Sequence, residues 1–105
     1  MAIFKSSVSS SVGTSAVQVL TATKTITLIG VSVANIIENP VVVSVVLKKG
    51  GTTSAHVVKG APISRGDTLI AVGAEQKVVM ETGDVLEIIS NTASSVDVIV
   101  NYLEV

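Results

Sequence analysis

Apolar and polar residues alternate along most of this chain with a period of two, the period of a strand that turns one face to a core. The clearest case is Val41–Lys49, VVVSVVLKK, where Val41, Val43, Val45 and Leu47 share one face and Val42, Ser44, Val46 and Lys48 the other. Both faces are largely apolar, which predicts a central or covered strand. Val85–Ser90 sets Leu86, Ile88 and Ser90 against Val85, Glu87 and Ile89. Val96–Val105 sets Val96, Val98, Val100 and Tyr102 against Asp97, Ile99, Asn101 and Leu103. Thr25–Ile37 changes face within itself: Ile26 and Leu28 fall on one side, Ile29, Val31 and Val33 on the other. Gly30 at the switch predicts a bulge or a bend.

Shorter strands are predicted over Ala16–Ala22, Ser54–Lys59, Thr68–Val72 and Lys77–Met80. Turn chemistry separates them: Glu38-Asn39-Pro40, Gly50-Gly51, Gly73–Gln76, Glu81–Asp84 and Asn91–Ser95. Gly60-Ala61-Pro62 is expected to end the fifth run, with a loop over Ile63–Asp67. No useful length of chain carries a 3.6-residue apolar period. The pattern therefore predicts an all-β domain over residues 16–105, a seven- to eight-stranded antiparallel β-sandwich with jelly-roll or Greek-key connections. Val43, Val45, Leu86, Ile88, Val98 and Val100 are its expected core. Residues 1–15, with six Ser between Ser6 and Ser15, read instead as an N-terminal arm. Ile3 and Phe4 at its tip, with Val8 and Val12 behind, are the expected contacts to a neighbouring subunit or another underlying protein; the alternative is that Ile3 and Phe4 cover the bottom of their own sandwich.

Composition sharpens this reading. Val, Ile and Thr supply 41 of 105 residues, and such side chains suit a pleated surface better than a helix. Only 14% of residues are charged, against about 25% in an ordinary domain, which predicts surface covered by a partner. Seven Lys and Arg balance eight Asp and Glu, so no nucleic-acid footprint is expected. Phe4 and Tyr102 are the only aromatic residues, too few for a stacking platform. The apolar runs Leu28–Ile37 and Pro40–Leu47 fall well short of the ~20 residues of a spanning helix, and MAIFKSSVSSS lacks the apolar segment of a signal peptide.

Candidate chemistry is sparse. Zero Cys excludes disulfides and thiolate metal sites. The single histidine, His56, has no second imidazole to share a metal, and Ser54 beside it on the strand lacks the third group of a triad. Glu38, Asp67, Glu75, Glu81, Asp84, Glu87, Asp97 and Glu104 are scattered over turns and strand ends rather than paired. Arg65-Gly66-Asp67 spells an adhesion motif, but Gly66 and Asp67 are also what a turn before a strand requires. No catalytic, cofactor-binding or metal-binding residue is expected, and an enzyme is not.

Several segments carry a resemblance: Gly13-Thr14-Ser15-Ala16, KTITLIGVSVAN over Lys24–Asn35, Lys59–Asp67 with Ala61-Pro62-Ile63, Lys77–Ile88 with its Gly83-Asp84-Val85-Leu86, and the closing Val96–Ile99 and Leu103-Glu104. Together, over residues 13–104, they resemble small all-β virion proteins of tailed bacteriophages. The resemblance implies a structural protein of the phage particle, made in the host cytoplasm and without enzymatic activity. A capsid decoration or cement protein is favoured, a homo-oligomer and by preference a trimer, held to the major capsid protein or other virion proteins. A tail, collar or neck component is the alternative. A carbohydrate- or receptor-binding β-sandwich is the alternative of another class, and it would want exposed Trp or Tyr.

Overall fold

The computed structural model describes residues 3–50, 52–73 and 77–104. Nine strands form in chain order: β1 (Ile3–Val12), β2 (Val17–Thr21), β3 (Ile26–Asn35), β4 (Val41–Lys49), β5 (Thr53–Ile63), β6 (Thr68–Val72), β7 (Val78–Met80), β8 (Val85–Ser90) and β9 (Val96–Glu104). They build two antiparallel sheets packed face to face. One has the order β1-β9-β3-β6, with β7 also on β3; the other has the order β2-β8-β4-β5. The pairing is nested. β1 pairs with β9, β2 with β8, β3 with both β6 and β7, and β4 with β5. β6 takes the C-terminal half of β3 and β7 its N-terminal half, so the two act as one edge strand interrupted between Val72 and Val78.

Alternation decides which side chains enter the space between the sheets. Val41, Val43 and Val45 from β4, Leu86 and Ile88 from β8, and Val96, Val98 and Val100 from β9 are all buried, as the sequence pattern requires. β3 shows why a long strand can serve the core from both of its patterns. Its register with β9 shifts between Leu28 and Gly30, and this extra residue turns Ile26, Leu28, Val31 and Val33 all inward.

Polar side chains tie the two ends of the sandwich. At one end Asp84, almost wholly buried, accepts N–H bonds from Gly50 and Glu81, both 2.9 Å, and an ion pair from Lys49. The Lys49 ammonium, with the two amides, holds its carboxyl down at about 2. One carboxylate thus fastens the β4–β5 hairpin to the turn before β8. At the other end Asn35 donates to the carbonyls of Asn39 and Ile63 and accepts from the Ile37 N–H, fixing the turn before β4. The Ser90 and Ser95 hydroxyls, 2.6 Å apart, close the β8–β9 connection.

Three sequence expectations need correction. Residues 3–12 are not a free arm: they are β1, in register with β9 from Ile3 opposite Glu104 to Val12 opposite Val96. Local composition is weak there, and the ready-made edge of β9 orders it. Gly60-Ala61-Pro62 does not end β5. Gly60, at φ 63°, absorbs a register shift against β4, and Pro62 sits on an edge strand, where a missing N–H is tolerated. Ile63 accordingly belongs to β5 and is buried, not part of a loop. Gly50, at φ 62°, stands at the turn from β4 to β5; Gly51, the other half of the expected pair, lies outside the described residues.

Candidate functional site

Strand register places residues in rows across the outer face of the β1-β9-β3-β6 sheet. One row runs Val8, Ile99, Ser32, Ile70. A second runs Phe4, Leu103, Thr27, Val79. Between them lie Ser6, Asn101 and Gly30. None of these residues is charged; Asp97, opposite Ala34, stands beyond them and accepts the Ser11 N–H at 2.9 Å. Phe4 is 74% exposed, Val8 66%, Ile70 62%, Val79 54% and Ile99 44%. Among the described residues, five of the eight exposed large hydrophobics therefore share one face. Two shallow depressions, about 330 and 280 Å³, flank Asn101; Phe4, Lys5 and Ile29 line the first, Ile70 and Val72 the second.

The opposite sheet has a different outer face. Its register row Gln18, Glu87, Val46, His56 is mostly polar, and Lys48 crosses it to Glu87 at 3.3 Å. Among the described residues this face thus gathers most of the exposed large hydrophobics, with Asp97 and Lys5 at its margins; exposed apolar patches of this kind are ones that protein partners cover. Full burial of a Phe, Val or Ile there contributes up to about 1.5–3 kcal/mol each.

The four residues expected to contact a partner divide. Phe4 and Val8 stand in this face. Ile3 is exposed but pairs with Glu104 at the end of β1, on the side of the strand opposite Phe4. Val12 is buried in the domain's own core and is not a partner contact, because the β1 register turns it between the sheets. Ile99, Ile70 and Val79 join Phe4 and Val8, and sequence reasoning missed all three. The signal for Ile99 was its place opposite the Val98 and Val100 face; Ile70 and Val79 needed the register of two short strands.

Several of the charged residues are held in ion pairs. Glu104 takes Lys5 at 2.8 Å and Lys24 at 3.7 Å, and the Lys5 ammonium holds its carboxyl below the ordinary range. Glu81 meets Lys49 at 3.2 Å, and Glu38 meets Arg65 at 2.8 Å. Arg65-Gly66-Asp67 is a turn: the Asp67 N–H donates to the Ser64 carbonyl at 3.0 Å, and Gly66 has φ 79°. The turn at Glu81–Asp84 repeats this construction with Gly83 at φ 92°. His56 is exposed on β5, and the described residues hold no group of three His, Cys, Asp or Glu placed to share a metal. Glu75 lies outside the described residues. Comparison with protein families, curated proteins and solved structures finds no match for this chain.

Proposed function

We propose that this chain is a structural protein of a tailed-bacteriophage particle, a capsid decoration or cement protein seated on the shell through the outer face of its β1-β9-β3-β6 sheet. The observation that carries the reading is the apolar face bearing Phe4, Val8, Ile99, Ile70 and Val79. A domain with few charges keeps such a surface where another protein covers it. The nested strand pairing supports the reading by analogy: we read it as a jelly roll, an architecture that recurs in viral shells and also in lectins and cupins.

The test uses particles of the phage that encodes the chain. Wild-type protein should co-sediment with particles lacking it and appear as density on the shell. Ile70→Lys with Ile99→Lys places two charges in the face without touching the core, and should keep the β spectrum while losing retention. Retention equal to wild type overturns the docking face. Density confined to the tail or neck replaces the decoration reading with the tail one.

A further inference from the structure

Sheet edges are where a β domain invites pairing, and three of the four edges here are blunted. β2 has only five residues, with a register shift between Gln18 and Leu20. β5 carries Gly60 and Pro62, the latter without an N–H to donate, and shifts register twice against β4. The remaining edge of the first sheet is broken into β6 and β7. β1 differs: it pairs without interruption from Ile3 to Ser9, and its bulge comes only at Ser9–Val12. Its single charge, Lys5, does not guard the edge, because the ammonium turns back to Glu104 in its own sheet at 2.8 Å.

The residues of this edge are complementary to themselves. Antiparallel pairing about Ser6 places Phe4 opposite Val8 of the second copy, and Val8 opposite its Phe4. Ser6 then faces Ser6, and Lys5 faces Ser7. Aromatic and β-branched side chains directly opposite each other are a favourable cross-strand pair, and the two lysines avoid each other. Moving the register by one symmetric step toward Ile3 sets Lys5 against Lys5. The step the other way sets Ser6 against Val8 and carries Phe4 to Ser10, within the bulge. Phe4, Ser6 and Val8 all point to the outer face, so the two sheets join with their apolar faces on one side.

We propose that two copies of this chain pair through the free edge of β1, antiparallel about a two-fold axis at Ser6. The apolar row Ile70, Ser32, Ile99, Val8 then continues into Phe4, Leu103, Thr27 and Val79 of the second copy. The contact is isologous and closes as a dimer, not the three-fold ring favoured from the sequence. It uses an edge rather than the outer face, so it holds whatever that face docks on.

The chain has no cysteine, which makes the register directly testable. Light scattering of the purified full chain should give twice the 10.7 kDa chain mass. Ser6→Cys puts two thiols opposite each other, within disulfide reach, and mild oxidation should cross-link it at least about tenfold faster than Phe4→Cys or Val8→Cys. In those controls the thiols stand about 13 Å apart, four residues along the paired strands. Phe4→Lys and Val8→Glu should each weaken the dimer. The double variant should restore it, because each introduced ammonium then stands opposite an introduced carboxylate of the second copy. All variants should keep the wild-type β spectrum, since these side chains lie outside the core. A monomer at up to about 1 mM, the weakest affinity worth the name, overturns the proposal. So does a trimer, or cross-linking of Ser6→Cys no faster than the controls.

Discussion

Replacing Leu86 by alanine removes three carbons from β8, where the side chain is fully buried between the sheets. β8 is flanked by β2 and β4, so the backbone has little freedom to close the gap. The lost transfer free energy is about 2.4 kcal/mol at ~0.8 kcal/mol per carbon group. If roughly 50 Å³ of the space stays open, the cavity adds about 1 kcal/mol at ~24 cal/mol per Å³. The expected cost is therefore about 3–4 kcal/mol, out of a total of roughly 5–15 kcal/mol for a domain of this size. The variant should stay folded at room temperature but melt about 12–30 °C lower. Urea titration followed by far-ultraviolet circular dichroism reads the change as a lower midpoint with an unchanged slope. Ile70→Ala, on the outer face, is the matched control and should cost less than about 0.5 kcal/mol. If Leu86→Ala leaves the midpoint unmoved, or the two variants cost the same, the assignment of inner and outer faces is wrong.

Deleting residues 3–12 removes β1 from the edge of β9 and Val12 from the core, so the shortened chain should lose its cooperative melt; a retained melt at the wild-type temperature would refute the placement of β1. Acid should act chiefly through Asp84. Its folded value, about 2, lies below the ordinary carboxylate range, so its contribution is complete above about pH 4 and is lost as pH falls toward 2. Asp84→Asn should flatten the melting temperature against pH across that window; an unchanged acid limb would show that the Lys49–Gly50–Glu81 node does not set it.

The alternation in β4, β8 and β9 was legible because each strand has a strict inside and outside, and one misplaced residue would turn valines to solvent. The face switch in β3 was legible for the same reason: two apolar patterns of opposite phase around Gly30 can both be buried only across a bulge. β1 was not legible. IFKSSVSSSV has little local drive to any structure, and what orders it is a strand from the far end of the chain. Gly60 and Pro62 misled in the opposite direction, since breakers that would end a central strand are accommodated at an edge. The apolar face shares this dependence on distant partners. Phe4 and Val8 drew attention as isolated hydrophobics among serines, but only the pairing of β1 with β9 and of β9 with β3 sets them beside Ile99 and in line with Ile70 and Val79.

The nested pairing also dictates how the chain must fold. Only β4 and β5, joined by the turn at Gly50, are close enough in sequence to pair early, within microseconds for a hairpin of this kind. The pairs β3–β6, β2–β8 and β1–β9 enclose it in turn, each closing a longer loop, until Ile3 meets Glu104. The last closures spend chain entropy before they gain contacts, so this domain belongs with slow, high-contact-order folders on the millisecond-to-second scale. During synthesis β1 emerges well before the strand it pairs with, and its edge stays unpaired until β9 follows. A sparing use of large apolar residues in a segment exposed for that long keeps a waiting strand from finding the wrong neighbour. The serines of β1, uninformative as a fold signal, are well suited to that interval.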